Sequence, residues 1–395
     1  MGTHFYRTFY KQDILNQTMT SKFLSNVLKN NLHGSQMFES LYKSTDGSIP
    51  TLLRKLNPVF RSHVNTYSCE TNDNVVKGSI LKFLCSQDSS DDVTMIDMTY
   101  GDGNHTRLIL ENIGNVKVIC LDRDKESFEK AKTLAANDPR LVPVYGKFSD
   151  LPNILKNMNN NFNSIDGIIM DVGISDSQAN STRGFKPDSN SLLDMRMSQE
   201  GITGYQVLSA IDEVSLAKIL KTYGEEKRSR QIARAIIETR YTFKKLERTR
   251  DLNELVASVV GTEVRVDPRK HGSEHVAQKV YNGLRRFVNN ELNELNYAMI
   301  IAEKYLKPEG LLLTKCNSIV EDKIVKRHLT GNVIEHCAND LALKFVNHNL
   351  TVNPLDMSSL TSSPWTILDK IIPSDSDLKL RVAMKKESNK ANVSQ

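Results

Sequence analysis

Apolar residues in the first structured part of the chain come in blocks rather than in single alternating positions. Val93–Met98 is an apolar run bounded by aspartates, which predicts a buried β-strand. Gly101 and Gly103 follow at once, then residues that favour a helix, then a second apolar run, Val116–Leu121. Asp122 ends that run. The pattern predicts a strand, a glycine turn, a helix and a second strand that ends in an acid.

The block pattern continues and then changes after the fourth strand. Strands that alternate with helices predict a parallel sheet of the Rossmann-like α/β class, and the change predicts a helical insertion between strands four and five. The remaining predicted elements are a helix over 125–136, strands over 141–145 and 166–171, helices without good strand alternation over about 180–285, a long helix over 289–306, a turn at 308–310 and a strand over 311–315.

These changes in pattern also give the domain boundaries. Ligands of open α/β sheets bind outside the carboxyl ends of the strands, so an insertion that leaves after strand four would cover the ligand cleft. The predicted segments are an N-terminal extension (1–62), a first part of the sheet domain (63–180), a helical substrate-recognition insert (181–285), a second part of the sheet domain (286–384) and a disordered tail (385–395).

Charge is distributed unevenly along the chain. The 395 residues carry a formal net charge of +5. Residues 181–285 contain 19 Lys and Arg against 14 Asp and Glu, so this segment accounts for the whole excess. A basic cluster of this kind favours a polyanionic partner such as RNA, although a solvated helical face has the same composition.

The N-terminal segment and the cysteines bear on where the protein works. Residues 1–62 are rich in Ser, Thr, Asn and Lys and poor in acids. A mitochondrial presequence is usually Arg-rich and amphipathic, so lysines give only a weak targeting signal. The five cysteines have no metal-binding spacing and fit buried thiols in a reducing compartment. No stretch approaches the ~20 apolar residues that span a membrane.

The glycine turn and Asp122 together indicate a nucleotide-type ligand. Glycines let backbone N–H groups approach a ligand closely, and a carboxylate at the end of the second strand can accept hydrogen bonds from ribose hydroxyls. Thr106 occupies the position of the third glycine in the dinucleotide fingerprint G-x-G-x-x-G. This substitution argues against an NAD-type cofactor with a pyrophosphate and favours an adenosine ligand without one, such as S-adenosylmethionine.

Several later segments are more specific than the glycine turn. They are VGISDSQ (172–178), RGF (183–185), LDMRM (193–197), YGEEKRSRQIARAIIETR (223–240) and EDKIVKR (321–327). In this order they resemble the RsmH/MraW family of ribosomal-RNA cytosine-N4 methyltransferases, including its mitochondrial members. The resemblance implies an S-adenosylmethionine-dependent enzyme that forms N4-methylcytidine in small-subunit ribosomal RNA. The implied partner is that RNA or the assembling subunit, in the mitochondrial matrix or otherwise in the cytoplasm.

The resemblance also implies which residues hold the cofactor. Asp122 has the strongest local argument as a ribose ligand, because Asp124 fits better as the cap of the following helix. Phe148 would lie against adenine or belong to the core, and His105 would contact the cofactor or only begin a helix. The implied cofactor residues are Gly103, Asn104, His105, Asp122, Phe148, Asp171 and Gln178.

Asp171 is the candidate catalytic residue. It ends the fourth predicted strand, where the methyl donor and the target amine would meet. The exocyclic N4 of cytosine is a poor nucleophile because its lone pair is delocalised into the ring. A carboxylate that accepts an N4–H would hold the amine in line with the methyl group. A role in cofactor binding alone is an equally good interpretation of this residue.

Two further groups of residues are candidates for substrate binding. One group lies in the RGF and LDMRM segments and would organise the target-nucleotide pocket or form an ion-pair network that joins the insert to the sheet. The other has the spacing i, i+3, i+7, which predicts one face of a helix and a surface for RNA phosphates. The first group is Arg183, Asp194 and Arg196, and the second is Lys227, Arg230 and Arg234.

Departures from the family pattern cluster in the second half of the chain. Ser318 stands where the family usually has histidine, and residues 275–279 read HVAQK where it has HPATR. Residues 374–381 replace an arginine-rich run. These changes favour a second hypothesis, a ribosome-assembly factor that keeps the fold without transferring methyl groups. A third, an NAD-type oxidoreductase, is disfavoured by Thr106 and by the family segments.

Overall fold

The computed structural model describes residues 92–242, 245–261, 264–266, 273–331, 363–371 and 378–387. The predicted N-terminal extension, the predicted start of the sheet domain at residue 63 and most of the predicted tail lie outside the described residues. None of the described helices is both long enough and apolar enough to cross a membrane.

The described part of the chain contains one large sheet and one small ribbon. The described strands are β1 (Val93–Asp97), β2 (Val116–Asp122), β3 (Leu141–Tyr145), β4 (Ile165–Val172), β5 (Val264–Val266), β6 (Ser273–His275), β7 (Leu306–Cys316), β8 (Trp365–Ile371) and β9 (Lys379–Lys385). The sheet has seven strands in the order β3-β2-β1-β4-β7-β9-β8. Neighbours from β3 to β7 are parallel, whereas β9 is antiparallel to both β7 and β8. This sheet confirms the predicted α/β class.

The central strands read as apolar blocks because both faces of a parallel sheet are covered. The side chains of Ile96, Ile119, Leu121, Ile168 and Met170 are fully buried. Burying a side chain of this kind contributes about 1.5–3 kcal/mol to stability. The packed core on both faces of the sheet therefore fixes the positions of the strand ends that follow these residues.

Helices flank the sheet and fill the interval between β4 and β7. They are α1 (Asn104–Asn112), α2 (Lys125–Ala135), α3 (Leu151–Asn157), α4 (Asp176–Ala179), α5 (Gly204–Ala210), α6 (Glu213–Thr222), α7 (Ser229–Thr239), α8 (Thr249–Val260), α9 (Gln278–Val288), α10 (Glu291–Tyr305) and α11 (Ile319–Thr330). Helices α4 to α10 lie between β4 and β7 in the chain, which agrees with an insertion at this point. The boundaries at residues 181 and 285 stay predictions.

Two details between β5 and β7 differ from the prediction. The antiparallel ribbon of β5 and β6 was not predicted, because strands of three residues are too short to show alternation. The predicted turn at 308–310 was also wrong, since these residues lie inside β7. There the register with β4 shifts between Ile165 and Gly167, and Glu309 has a φ of 64°. A bulge of this kind inserts residues into a strand without ending it.

Candidate active site

The predicted cofactor residues lie at or just beyond the carboxyl ends of β1 to β4, whereas Lys227, Arg230 and Arg234 lie at α7. This edge is the usual ligand position in an open parallel sheet. The glycine turn follows β1, Asp122 ends β2, Asp171 is the second-last residue of β4, and Lys315 is its register partner on β7. The fold thus places side chains from distant parts of the sequence at one edge of the sheet.

The glycine turn after β1 needs both of its glycines. Gly101 and Gly103 have φ values of 53° and 78°, in the left-handed region that side chains disfavour. A Cβ on Gly103 would lie 2.7 Å from the hydroxyl oxygen of the buried Tyr100. The backbone can therefore take this close turn only with glycine, and the turn is held by hydrogen bonds from the Gly101 N–H to Asp122 and from the Gly103 N–H to the Tyr100 carbonyl.

Asp122 is bound to this turn through its carboxylate. Oδ2 accepts a hydrogen bond from the Gly101 N–H at 2.7 Å, and Oδ1 accepts one from the Asp124 N–H at 2.8 Å. Burial raises the pKa of the carboxyl from 3.8 to about 6, against the lowering effect of the two backbone hydrogen bonds. A partly desolvated carboxylate held in this way is well suited to accept hydrogen bonds from a pair of ligand hydroxyls.

Asp124 has a larger role than the helix cap that the sequence predicts. The cap is present, since its side chain accepts a hydrogen bond from the Glu126 N–H at 3.1 Å. The other oxygen, Oδ2, accepts hydrogen bonds from Gln178 Nε2 at 2.8 Å and from the Arg183 guanidinium at 2.6 Å. Asp124 is fully buried, so this network fixes the segment after β4 to the end of β2.

Gln178, a predicted cofactor contact, has both ends of its amide bonded within the protein. Nε2 donates to Asp124, and Oε1 accepts a hydrogen bond from the Ser175 N–H at 3.1 Å. The side chain is buried, with an exposed fraction of 6%. The described contacts make Gln178 a residue that positions α4, and its contact with a cofactor stays a prediction.

Asp171 has two basic side chains beside it. Oδ2 accepts a hydrogen bond from Lys315 Nζ at 2.8 Å and lies 3.9 Å from His105 Nε2. The Asp171 N–H donates to Thr99 Oγ1 at 2.7 Å, which fixes the backbone. His105 thus faces Asp171 from the first turn of α1. Lys315 was missed at the sequence level because nothing local marks a strand lysine as a partner of a residue on another strand.

Asp97, the last residue of β1, was also missed. It is fully buried, and its carboxylate accepts hydrogen bonds from Thr106 Oγ1 at 2.7 Å and from the Thr99 N–H at 3.0 Å. Burial raises the pKa of the Asp97 carboxyl, opposed mainly by the nearby His105. Thr106 therefore stands in place of the third glycine because its hydroxyl satisfies a buried acid.

Phe148 lies in a short 3₁₀ helix, Phe148–Asp150, just beyond β3. The Ser149 N–H and hydroxyl both donate to the Glu294 carboxylate of α10, each at 3.0 Å. Glu294 is buried, with an exposed fraction of 3%. The turn that carries the Phe148 ring is thus held in place by hydrogen bonds to Glu294 of α10. The ring is partly buried and packs against the core, so the alternative of an ordinary core residue holds in part.

The RGF and LDMRM segments form an interconnected loop. Arg196 and Asp194 form an ion pair with contacts of 2.5 and 3.1 Å, so each is the other's partner. Arg183 donates to Asp124 and also to the carbonyl oxygens of Arg196 and Met197, at 3.3 and 3.1 Å. These contacts support the structural interpretation of the three residues. Substrate contacts made by the loop stay a prediction.

Asn289 holds the same loop from its other side and was missed by the sequence. Its Oδ1 accepts a hydrogen bond from the Met197 N–H at 2.8 Å, and its Nδ2 donates to the Met195 carbonyl at 2.6 Å. The Asn289 carbonyl in turn accepts from Arg123 at 2.6 Å. Residues 123 and 124, which directly follow Asp122, therefore both connect to the loop.

Comparison with known proteins identifies the family to which this arrangement belongs. The model of the MraW methylase family matches residues 73–385, most of the chain. The chain belongs to the MraW methylase family. The matched range includes the glycine turn, Asp122, Asp171 and the loop over residues 183–197.

Three relatives show how far the similarity extends. A Drosophila melanogaster methyltransferase-like protein 15 homolog is 39% identical over 72% of this chain and 82% of its own length. The human 12S rRNA N(4)-cytidine methyltransferase METTL15 is 37% identical over 60% of each chain. A Culex quinquefasciatus protein named as a receptor-type tyrosine-protein phosphatase is 44% identical over 77% of this chain but only 21% of its own length. The chain thus spans less than two thirds of two of these relatives.

The predicted helical face of basic residues needs a correction. Helix α7 begins at Ser229, so Lys227 lies in the turn before it and not on the helix. Arg230 and Arg234 are on the helix and exposed, and Arg234 forms an i,i+4 ion pair with Glu238 at 2.9 Å. The buried YGEE turn ends the preceding segment, which is why the helix starts later than its sequence pattern indicates. All three side chains still lie on the surface.

Ser318 caps α11. Its hydroxyl accepts a hydrogen bond from the Glu321 N–H at 3.3 Å. The next two acids of the family segment form buried ion pairs. Glu321 pairs with Arg286 at 3.0 Å, and Asp322 pairs with Arg381 at 2.6 Å. This part of the divergent half therefore keeps a structural role.

Proposed function

We propose that this protein is an S-adenosylmethionine-dependent methyltransferase that forms N4-methylcytidine in small-subunit ribosomal RNA of mitochondria. The observation that carries the proposal is that Asp122 at the end of β2 and Asp171 near the end of β4 lie at the same edge of the sheet, on either side of β1 and its glycine turn. Family membership and the name of the human relative support the reaction and the RNA. The resemblance to mitochondrial members supports the compartment.

The residues present fit the cofactor. Gly101 and Gly103 allow the tight turn after β1, and beside it Asp122 offers a carboxylate to the two ribose hydroxyls. Phe148 lies on a fixed turn beyond β3, where an aromatic ring can lie against adenine. When bound, the cofactor supplies a methyl group on a positively charged sulfur. The chain itself supplies the alignment of that group with the acceptor.

Asp171 would act on the acceptor side. Its backbone is fixed by Thr99 and its Oδ2 by Lys315, so the carboxylate has a defined orientation. A cytosine amine that donates to this carboxylate is held with its lone pair turned towards the methyl group. The same carboxylate can take the proton that the amine loses on methylation. The loop over residues 183–197 would close the pocket from the insert side.

The proposed function is tested by the nucleoside content of ribosomal RNA. Mass spectrometry of small-subunit ribosomal RNA from cells without the protein should show loss of N4-methylcytidine, and the wild-type chain should restore it. Unchanged N4-methylcytidine would reject this substrate. If ribosome assembly fails in those cells while N4-methylcytidine is normal, the protein acts as an assembly factor instead.

We expect cofactor binding to depend on the ionisation of Asp122. Its raised pKa of about 6 means that the ionised acceptor is present above that pH and is lost as the pH falls through it. Calorimetry should therefore show weaker S-adenosylmethionine binding below pH 6.

Asp122→Ala should cost about 1.5–3 kcal/mol of binding free energy above neutral pH, where the Asp122 carboxylate is ionised and its hydrogen bonds to the ligand are charged.

The matched control for this prediction is Asp122→Asn. The amide keeps an acceptor oxygen but cannot titrate, so the loss of affinity around pH 6 should disappear. If Asp122→Asn shows the same midpoint as the wild type, another group controls the pH dependence and Asp122 is not the ligand.

RNA binding should depend on the exposed basic residues around the start of α7. Lys227, Arg230 and Arg234 are exposed, and phosphate contacts release counterions that make affinity salt-dependent. Reversing all three to Glu should weaken RNA binding and lower the slope of log affinity against log salt by about 2. Filter binding at several salt concentrations measures both quantities.

The control is a triple reversal on the sheet domain. Lys117, Lys132 and Lys156 are also exposed, and Lys132 is paired with an acid as Arg234 is. Changing these three to Glu alters the net charge by the same amount. Equal losses in the two triple variants would mean that overall charge, and not the α7 surface, controls RNA affinity.

A further inference from the structure

Lys315 is the basic side chain in direct contact with Asp171. It lies on β7 as the direct register partner of Asp171 on β4, at the carboxyl ends of both strands. Its Nζ is 2.8 Å from Asp171 Oδ2, and the exposed fractions of the two side chains are 16% and 23%. We propose that Lys315 is a positioning residue that holds Asp171 for the target amine. This inference rests on the proposed function.

The ion pair occupies only one oxygen of the Asp171 carboxylate. Lys315 donates to Oδ2, and His105 Nε2 also lies nearest to Oδ2, at 3.9 Å. Within the described ranges no hydrogen bond reaches Oδ1. A carboxylate fixed through one oxygen presents the other in a defined direction. Oδ1 is therefore the atom that would accept an N–H from the acceptor amine.

A second ion pair on the same two strands shows what a purely structural version looks like. Lys307 of β7 donates to Asp166 Oδ1 of β4 at 2.6 Å, near the opposite ends of these strands. The remaining oxygen, Asp166 Oδ2, accepts a hydrogen bond from the Thr94 N–H at 2.9 Å. Asp166 is thus used on both sides by the protein, whereas Asp171 keeps one oxygen for a ligand.

The charges around Asp171 explain why a cation is needed at this point. Asp97 of β1 is a buried acid close enough to interact with Asp171, and the thiol of Cys316 follows Lys315 on β7. His105 on α1 faces the same carboxylate from a longer distance than Lys315. An ammonium in direct contact offsets the repulsion from Asp97 and holds the Asp171 carboxylate in place.

The chemical step leaves Lys315 unchanged. The N4 lone pair forms a bond to the methyl carbon as the carbon–sulfur bond breaks, and that electron pair stays on sulfur. The proton lost from N4 passes to Asp171 Oδ1 and then to solvent. Lys315 keeps its proton throughout, so its contribution is to the position and charge of Asp171. A small displacement of an aligned group can lower a rate by about 10²-fold.

The test compares Lys315→Met, Lys315→Arg and the control Lys307→Met in the full-length chain. Methyl transfer is measured at saturating RNA and cofactor. Calorimetry measures binding of S-adenosylhomocysteine and of a bisubstrate analogue in which the 5′ carbon of adenosine is joined to the N4 of cytidine. Lys315→Met should lower turnover by about 10²-fold and analogue affinity by about tenfold, with S-adenosylhomocysteine affinity within about threefold. Lys315→Arg should recover most of both losses, and Lys307→Met should behave as wild type.

Each outcome decides a separate claim. Wild-type turnover in Lys315→Met, or equal losses in Lys315→Met and Lys307→Met, would overturn the positioning role while the proposed function stands. If the wild type transfers no methyl group, the proposed function fails. Selective loss of analogue affinity in Lys315→Met would then still support the inference about the pocket, and no selective loss would overturn it.

Discussion

Asp171→Ala should abolish N4-methylcytidine formation while leaving the fold and cofactor binding largely intact. The side chain is partly exposed at the cleft, and its carboxylate is bonded to Lys315 and lies close to His105. Removing it takes away both the hydrogen-bond acceptor for the amine and the proton acceptor. Loss of such a group lowers a rate by about 10²–10⁴-fold. Turnover with small-subunit RNA measures the effect directly.

Asp171→Asn separates the possible roles of this carboxylate, and Ser318→Asn is a control at another position. Asp171→Asn keeps a hydrogen-bond acceptor but cannot take a proton, so its residual activity divides the alignment effect from the proton-transfer effect. Ser318→Asn keeps the helix cap of α11 and should retain activity, because the Ser318 hydroxyl already serves that cap. Normal turnover in Asp171→Ala would remove Asp171 from the mechanism. Rescue of ribosome assembly by Asp171→Ala in cells lacking the protein would favour the binding role.

Glu321→Ala should strongly destabilise the folded chain. Glu321 and Arg286 are both buried, with side-chain exposed fractions of 1% and 5%, and their charged groups are 3.0 Å apart. Arg286 also donates to the Tyr223 carbonyl, and Glu321 accepts from the Asn317 N–H at 3.1 Å. Removing Glu321 leaves the Arg286 charge buried without its partner, which typically costs about 3–5 kcal/mol. Denaturant titration of the full chain measures the change.

Two controls test whether the destabilisation comes from burial of the pair rather than from the loss of an ion pair in general. Glu321→Gln retains the hydrogen-bond acceptor and should be less destabilising than Glu321→Ala. The exposed i,i+4 pair Arg250–Glu254 on α8 has the same types of charge, and Arg250→Ala should cost less than about 0.5 kcal/mol. If Glu321→Ala is as mild as Arg250→Ala, the buried pair does not hold α9 to α11.

The destabilising effect also bears on the site. Arg286 is on α9, one residue after the predicted end of the insert at residue 285. Glu321 is on α11, which follows β7. The same α9 ends beside Asn289, whose side chain holds the loop at Met195 and Met197. Loosening the pair should therefore reduce turnover more than it reduces cofactor affinity, because Asp122 and the glycine turn lie on other elements.

The strands and the turn that carry Asp122 and Asp171 could be predicted from the sequence because their determinants are local. A buried parallel strand must be an apolar run, and the turn that follows it needs glycine where φ is positive. Asp122 and Asp171 directly end such runs, so their place at one edge of the sheet follows from the parallel order alone. The cap at Asp124 is also a local feature and was found.

The tertiary structure decided which side chains meet, because those contacts join positions that no short pattern relates. Lys315 reaches Asp171 only because β7 pairs with β4 after the whole insertion, and Arg183 reaches Asp124 only when the loop folds over β2. The start of α7 was misplaced for the same reason. The buried turn before it delays the helix to Ser229, although the helical pattern of the sequence begins earlier. Periodicity specifies elements and their buried faces, whereas ion pairs between elements depend on register and packing that arise only in the assembled fold.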